Sequence, residues 1–163
     1  MTRSRSEYRR TSLTTRTPLH YGITAVAAHT VDREVLATLL LDAYRGTIDD
    51  EGEDHDDALA AIDHYLGTII PEHSVVLFEG DRAVALSFVV VVDGVHYIDP
   101  VTTAASHKGR GLGTAAVMES LRSLAAADVH IVGATITDGN TPSERLFTSL
   151  GFTRVGRWGT SAE

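Results

Sequence analysis

Three glycines, Gly109, Gly111 and Gly113, stand directly before a stretch with helical periodicity, and they constrain the fold more than any other feature. Glycine has no Cβ, so it reaches left-handed backbone angles and lets a ligand approach the main chain. Apolar residues then recur at helical spacing, at Ala115, Val117, Met118, Leu121, Leu124 and Ala125. The glycines therefore lie at a helix N-terminus, where free N–H groups and the helix dipole favour an anion.

Two cations in this loop, Lys108 and Arg110, suit a phosphate group. The spacing is not that of a P-loop, because Thr114 follows Gly113 directly, and G-x-G-x-G is not the dinucleotide fingerprint. A simple turn before a helix is the alternative interpretation, and the loop alone leaves both open.

The length of 163 residues predicts one domain, and an apolar content of 43% is typical of a globular chain. Cysteine is absent, which excludes a disulfide framework, a thiolate metal site and a cysteine nucleophile. The eight histidines lack metal-ligand spacing, so we expect no metal.

Charge is distributed unevenly along the chain. The net charge is −8, but the first 20 residues carry +4 and the remainder −12. The acidic body argues against nucleic-acid binding and favours cationic small molecules or basic peptide ends. No apolar run could span a membrane, and the apolar stretch of an export signal is missing after "RRTSL". We therefore expect a cytoplasmic protein with no membrane partner, whose residues 1–18 form a disordered basic tail.

The pattern of elements predicts the α/β fold class, with a mixed sheet that carries helices on both faces. The predicted elements are a strand at 19–28, helices at 32–44 and 56–67, three antiparallel strands between 74 and 103, the helix after the glycines, a strand at 129–137, a helix from a capping box at 141–144 to Gly151, and a last strand in "FTRVGRW". The strands on either side of the glycine-loop helix should be parallel neighbours through a right-handed crossover.

Two stretches, "VTTAASHKGRGLGTAAV" and "NTPSERLFTSLGF", resemble the GNAT superfamily of acetyl-coenzyme-A-dependent N-acetyltransferases. Lys108, Gly111 and Gly113 fill the fixed places of the family's pyrophosphate loop, R/Q-x-x-G-x-G/A, with Lys in place of Arg or Gln. Asn140 and the closing Gly151-Phe152 match the second pattern.

The resemblance implies a single GNAT acyltransferase domain over residues 19–163, with a splay between two parallel strands that holds coenzyme A. Main-chain N–H groups of the loop would bind the pyrophosphate, the strand before it would pair with pantetheine, and Asn140 would bond the same arm. The implied cofactor contacts are Val101, Thr102, Thr103, Lys108, Gly109, Arg110, Gly111, Leu112, Gly113, Thr114, Asn140 and Phe147. The protein would be a monomer or homodimer that uses acetyl-coenzyme A and an amine, with no metal.

Phe147 stands where many family members carry a tyrosine that protonates the departing thiolate. Phenylalanine has no such proton, so Ser143, one helical turn earlier, is our candidate acid, with Tyr97 as another donor. This departure keeps a second hypothesis open, in which the protein is a non-catalytic acyl-coenzyme-A-binding module for sensing or interaction.

Asp99 is the candidate base that removes the amine proton. Its alternative is a turn carboxylate or the partner of a nearby cation, and Pro100 after it indicates a bulge or a break in strand pairing. His96 and Asp138 are further candidates, although strand alternation places His96 on the opposite face from Asp99. Seven of the nine residues from 49 to 57 are acidic, which predicts either a solvated loop or a lip that attracts an amine.

Overall fold

The structure is a computed structural model that describes residues 3–11 and 19–159. Its strands are β1 (Arg5–Arg10), β2 (Ile23–Ala27), β3 (Val75–Glu79), β4 (Arg82–Val92), β5 (Val95–Thr103), β6 (Val132–Thr137) and β7 (Thr153–Arg157). Its α-helices are α1 (Arg33–Tyr44), α2 (His55–Leu66), α3 (Leu112–Ala126) and α4 (Thr141–Ser149). This confirms the predicted mixed α/β class.

The strands form one sheet in the order β2-β3-β4-β5-β6-β1-β7. Neighbours are antiparallel except β5 and β6, which are parallel, as predicted for strands joined through the glycine-loop helix. Their register runs only from His96 opposite Val132 to Ile98 opposite Ala134. Beyond Ile98, β5 pairs only with β4, so the two parallel strands separate there.

The N-terminal residues contradict the prediction of a disordered tail over residues 1–18. Arg5–Arg10 form β1, which lies between β6 and β7 and pairs antiparallel with both. Ser6 and Tyr8 are buried on one face, while Arg5, Glu7 and Arg9 alternate onto the other, where Arg9 Nε lies 2.6 Å from Glu7 Oε1. β1 carries three arginines, so its sequence looks like that of a basic tail. It still forms a strand, because a half-buried arginine packs its aliphatic stem and keeps its charge in water. Residues 1–2 and 12–18 of that prediction lie outside the described residues.

The helices cover both faces of the sheet. Leu36, Leu40 and Ile62 of α1 and α2 pack with Phe88 on one face. On the other face α3 and α4 pack against β6, through Val117, Leu121, Leu124, Val132, Ala134, Phe147 and Phe152. The gap between β5 and β6 therefore opens toward a helical layer on each side.

Candidate active site

A cavity of about 730 Å³ occupies the place where β5 and β6 separate. Its wall is formed by the end of β5, the glycine loop, the end of β6, the start of α4 and the segment that follows α1. Pockets of this volume accommodate small-molecule ligands and cofactors. The cavity thus brings the two motif-bearing stretches of the sequence together.

The glycines of the loop satisfy two different steric requirements. Gly109 and Gly111 have φ of 79° and 77°, the left-handed region that only glycine enters freely. A Cβ on Gly113 would lie 3.0 Å from Leu146 Cδ1 and 3.1 Å from Thr103 Oγ1, so a side chain there would push the helix start away from β5. The loop needs its glycines both for its bend and for close packing.

Main-chain N–H groups at the start of α3 are available to a ligand. The hydrogen-bond ladder of α3 begins where the Ala115 N–H donates to Gly111 C=O at 2.9 Å. The N–H groups of residues 112–114 precede that bond, and all three residues line the cavity. An anion placed there would meet both free donors and the positive end of the helix dipole.

The two cations of the loop have different positions. Lys108 lines the cavity, and its Nζ donates to the Ala43 carbonyl at 2.8 Å, which ties the loop to the last turn of α1. Arg110 is exposed and is not part of the cavity wall. Of the two predicted phosphate cations, therefore, only Lys108 reaches the wall.

The end of β5 presents an unpaired edge to the cavity. Val101, Thr102 and Thr103 all line the wall, and their antiparallel partners lie on β4 alone. The β4–β5 register shifts from Ser87 opposite Val101 to Val89 opposite Ile98, which leaves Asp99 and Pro100 out of the ladder. The break in pairing predicted at Pro100 is thereby confirmed.

Asn140 begins α4 and connects it to the segment after α1. Its Oδ1 accepts the Ser143 N–H at 3.3 Å, and its Nδ2 donates to Asp49 Oδ2 at 3.1 Å. The capping box predicted from Thr141 and Glu144 is wrong by one residue, because asparagine is the stronger N-cap and takes that position. Glu144 instead accepts a long bond, 3.4 Å, from the Gly139 N–H.

Ser143 and Phe147 lie one turn apart on α4, and both line the cavity. Phe147 is buried and packs edge-on against Phe152, with the ring centroids 5.0 Å apart. It is an apolar part of the wall. Ser143 therefore carries the hydroxyl that α4 brings to the wall beside Phe147.

Asp99 lies at the point where the strands separate, in a cluster that we call the Asp99 end of the cavity: Arg5, Tyr44, Asp49, Asp99 and Thr137. Burial raises the pKa of Asp99, while Arg5 acts in the opposite direction. Arg5 Nη2 donates to Asp99 Oδ1 at 3.3 Å. Asp99 is thus the partner of a nearby cation, as its alternative interpretation had it, and it also lines the cavity, while its role as a base stays a prediction.

Tyr44 brings a phenol to the same end. Burial raises the pKa of Tyr44 well above its usual value, with the neighbouring Tyr65, Asp99 and Asp49 adding to the shift. Tyr65, on α2, has its pKa raised to about 12, again mainly by burial. Both phenols are therefore protonated at neutral pH and are able to donate a hydrogen bond.

The acidic stretch at 49–57 contributes one side chain to the wall, that of Asp49. Its carboxylate accepts from the Thr137 hydroxyl at 2.8 Å as well as from Asn140. Asp54 and Asp57 form the capping box of α2, and Asp50 accepts N–H groups of Gly46 and Gly52. Most of this stretch thus builds local structure.

Three further candidates from the sequence lie away from the cavity. The Tyr97 hydroxyl donates to Glu7 Oε1 at 2.9 Å, and His96 packs edge-on against His73, with centroids 6.0 Å apart. Asp138 accepts the Ser4 and Ser6 hydroxyls, each at 2.6 Å, and these bonds lower its pKa. None of the three candidates lines the cavity.

Sequence reasoning missed Arg5 and the individual role of Asp49. Arg5 belongs to a basic segment that the sequence predicts to be disordered. Asp49 is one of seven acidic residues in a short stretch, and nothing in the sequence distinguishes it from the others. The one available signal was the alternation of Ser6 and Tyr8 with charged residues, which is a strand pattern.

Within residues 3–11 and 19–159, no three histidine, aspartate or glutamate side chains are grouped so that they could hold a metal ion. In the same described part of the chain, no helix combines the length and the apolar character needed to cross a membrane.

Solved structures share this fold at low sequence identity. A GCN5-related N-acetyltransferase from Sphaerobacter thermophilus matches with a TM-score of 0.72 and 19% identity, over 95% of this chain and 49% of that chain. A tandem GNAT protein from the clavulanic acid biosynthesis pathway matches with a TM-score of 0.69 and 14% identity, over 98% of this chain and 55% of that chain. The ribosomal-protein-S18-alanine N-acetyltransferase from Escherichia coli matches with a TM-score of 0.63 and 14% identity, over 82% and 79%.

This chain spans about half the length of the first of these structures. A search of curated proteins found no match. The sequence of residues 34–152 matches the model of the acetyltransferase (GNAT) family, and this range contains the glycine loop, Asp99, Asn140 and both helices that flank β6. The chain therefore belongs to the GNAT acetyltransferase family.

Proposed function

We propose that this chain transfers an acetyl group from acetyl-coenzyme A directly to an amine of a cationic small molecule or peptide. The observation that carries the proposal is the cavity between β5 and β6, which joins free main-chain N–H groups to the Asp99 carboxylate on one wall. Proteins with the GNAT fold use acetyl-coenzyme A.

The residues present fit that co-substrate. A Cβ at Gly113 would meet Leu146 and Thr103. Because glycine has none, the loop lies close to β5. The N–H groups of residues 109–114 would hold the pyrophosphate, with the Lys108 ammonium beside it. The free edge of β5 at Val101, Thr102 and Thr103 would pair with pantetheine, and Asn140 would bond the same arm.

When bound, the thioester supplies the acetyl group. Asp99 takes the proton of the incoming ammonium, and its raised pKa brings it closer to the working range of a general base. The Ser143 hydroxyl, on the wall next to Phe147, is the group we assign to proton donation toward the departing sulfur. No nucleophilic side chain is needed, because holding both reactants in one cavity supplies much of the rate.

Further parts of the proposal concern the setting of the reaction. We propose a cytoplasmic enzyme that acts as a monomer or homodimer, without a metal and without nucleic-acid or membrane partners. The compact domain extends upstream of residue 19, since β1 is part of its sheet.

A second candidate function is a non-catalytic acyl-coenzyme-A-binding module. Phe147 favours it, because the aromatic residue on α4 carries no proton for the thiolate. The two candidates differ in turnover, while both require coenzyme A to bind the same loop.

The test combines calorimetry with an assay for free thiol. We expect coenzyme A to bind the wild type, and thiol to appear when acetyl-coenzyme A is mixed with a panel of primary amines. Gly113→Ala should weaken coenzyme A binding about tenfold, roughly 1.4 kcal/mol, because the added methyl displaces the loop.

Gly156→Ala is the matched control, since a Cβ at Gly156 meets nothing within 4 Å. Tight binding with no turnover on any amine would select the binding module. Unchanged affinity in a folded Gly113→Ala protein would overturn the assignment of the loop.

A further inference from the structure

Arg5 is the cation at the Asp99 end of the cavity, and it comes from β1. Its backbone pairs opposite Thr137 of β6, so its side chain shares a sheet face with Thr135 and Thr137. On β5, Tyr97 pairs with Gly133, which lies on the same face of β6 as Thr135. Asp99 follows Tyr97 by two residues, so it lies on that face too. Arg5 thus lines the cavity on the side of the gap covered by α1 and α2.

The guanidinium of Arg5 is only partly satisfied. Within the described residues its hydrogen bonds come from Nη2 alone, to Asp99 Oδ1 at 3.3 Å and to the Thr135 carbonyl at 3.1 Å. Its Nε is buried without an acceptor, and the side chain as a whole is 36% exposed. Arginine carries five N–H donors in a planar fork suited to a carboxylate, so a second acceptor would complete the group.

The two carboxylates around Arg5 are not equally available. Asp49 already accepts from the Thr137 hydroxyl and from Asn140 Nδ2, at 2.8 and 3.1 Å. Asp99 holds Arg5 through a contact of 3.3 Å, longer than the 2.7–2.9 Å usual for charged pairs. The weakly paired Arg5 and Asp99 on one cavity wall are complementary to a ligand that carries both a negative and a positive group.

We propose that the acceptor is an amino-acid-like zwitterion, whose carboxylate binds Arg5 while its amine lies at Asp99. This inference rests on the proposed function, and it adds an anionic group to the acceptor. A simple cationic amine would leave the Arg5 guanidinium as a like charge next to the reacting nitrogen, which is unfavourable.

The experiment compares matched sets of three acceptors with the same side chain: the free amino acid, its carboxamide, and the amine that lacks the carboxyl group. We expect the free acids to give at least a tenfold higher kcat/KM in the thiol assay, because charged hydrogen bonds to arginine discriminate by about that much. Arg5→Gln should remove this preference, and Arg5→Lys should retain part of it.

Arg9→Gln is the matched control. It removes the same charge from the same face of β1, but Arg9 pairs with Glu7 and does not line the cavity. The acid preference should survive in Arg9→Gln. Circular dichroism on all three variants checks that β1 still joins the sheet.

A second readout does not depend on turnover. Calorimetry with coenzyme A and each acceptor of the three-member sets should show binding of the acids at least tenfold tighter than that of the amides, and Arg5→Gln should abolish the difference. Equal affinity for acids and amides, or a preference that persists in folded Arg5→Gln, would overturn the inference. Transfer to amides and simple amines at the same rate as to acids would do so while leaving the proposed function intact.

Discussion

Asp99 experiences two opposing influences within one cavity. Burial raises its pKa, whereas the guanidinium of Arg5 stabilises the ionised form. The net direction is upward, so the carboxylate ionises at a higher pH than an ordinary aspartate does. In the proposed mechanism Asp99 acts as a base only when it is ionised, so the activity should fall as the pH falls through its folded-state pKa.

The pH profile of kcat/KM follows from this direction. We expect the activity to decline on the acid side at a pH above the usual aspartate range, because protonated Asp99 cannot accept the amine proton. Asp99→Asn should lower kcat by roughly 100-fold or more and remove that acidic limb, as expected when a general base is lost. An acidic limb that is unchanged in Asp99→Asn would assign it to another group, with coenzyme A affinity as the check that the cavity is intact.

At the scale of the elements, β1 was not expected from the sequence, yet it connects two other strands of the sheet. It separates β6 from β7, so β7 has no pairing with β6 and depends on β1 for its place in the sheet. The buried Tyr8 holds β1 against the cluster of α3, α4 and β6, with 8% of its surface exposed. If β1 is ordered in this way, removing the Tyr8 side chain should lower the free energy of unfolding, whereas the same change in a disordered tail would not.

Tyr8→Ala should lower the free energy of unfolding by about 3 kcal/mol, in the range for a large aromatic removed from a core. Tyr21→Ala is the matched control, because Tyr21 is fully exposed at 105% and its removal should change stability little. Urea denaturation of the two variants measures the difference. Equal stability of both would mean that residues 5–10 do not pack as a strand.

The sequence predicted those elements whose pattern of residues lies within one continuous stretch of the chain. The glycine loop, α3 and the parallel pairing of β5 and β6 follow from spacing within one continuous stretch, because backbone donors and helix periodicity are local properties. Arg5, Tyr44 and Asp49 come from segments far apart in the chain, and only the fold brings them together around Asp99. The sequence therefore identified the glycine-loop and Asn140 parts of the cavity wall, while most of the Asp99 end needed the structure.

At the scale of the whole molecule, the sheet consists of two antiparallel parts joined by one short parallel contact. Strands β2 to β5 form one part, and β6, β1 and β7 form the other. Three register pairs connect them before the gap opens, and α3 crosses from one part to the other. A ligand in the gap would contact both parts at once.

Hydrogen exchange should report this contact. Coenzyme A at a hundred times its dissociation constant should stabilise the fold by about 2.7 kcal/mol and slow exchange at residues 99–103 and 109–114 on one side and 135–140 on the other. The edge strand β7, none of whose residues lines the cavity, provides the internal reference. Protection confined to one side of the gap would contradict binding across it.

The position of Arg5 outside the range of the family model has a consequence for comparisons between members of the family. The residues that we propose as coenzyme A contacts lie wholly inside residues 34–152, the range that matches the family model, whereas Arg5 lies outside it. Under the proposed function, substitutions at Arg5 change the preferred acceptor and leave the residues proposed to hold the acyl donor unchanged. Two proteins that match over this range need not share a substrate, and the residues to compare between them are those of the strand inserted beside β6.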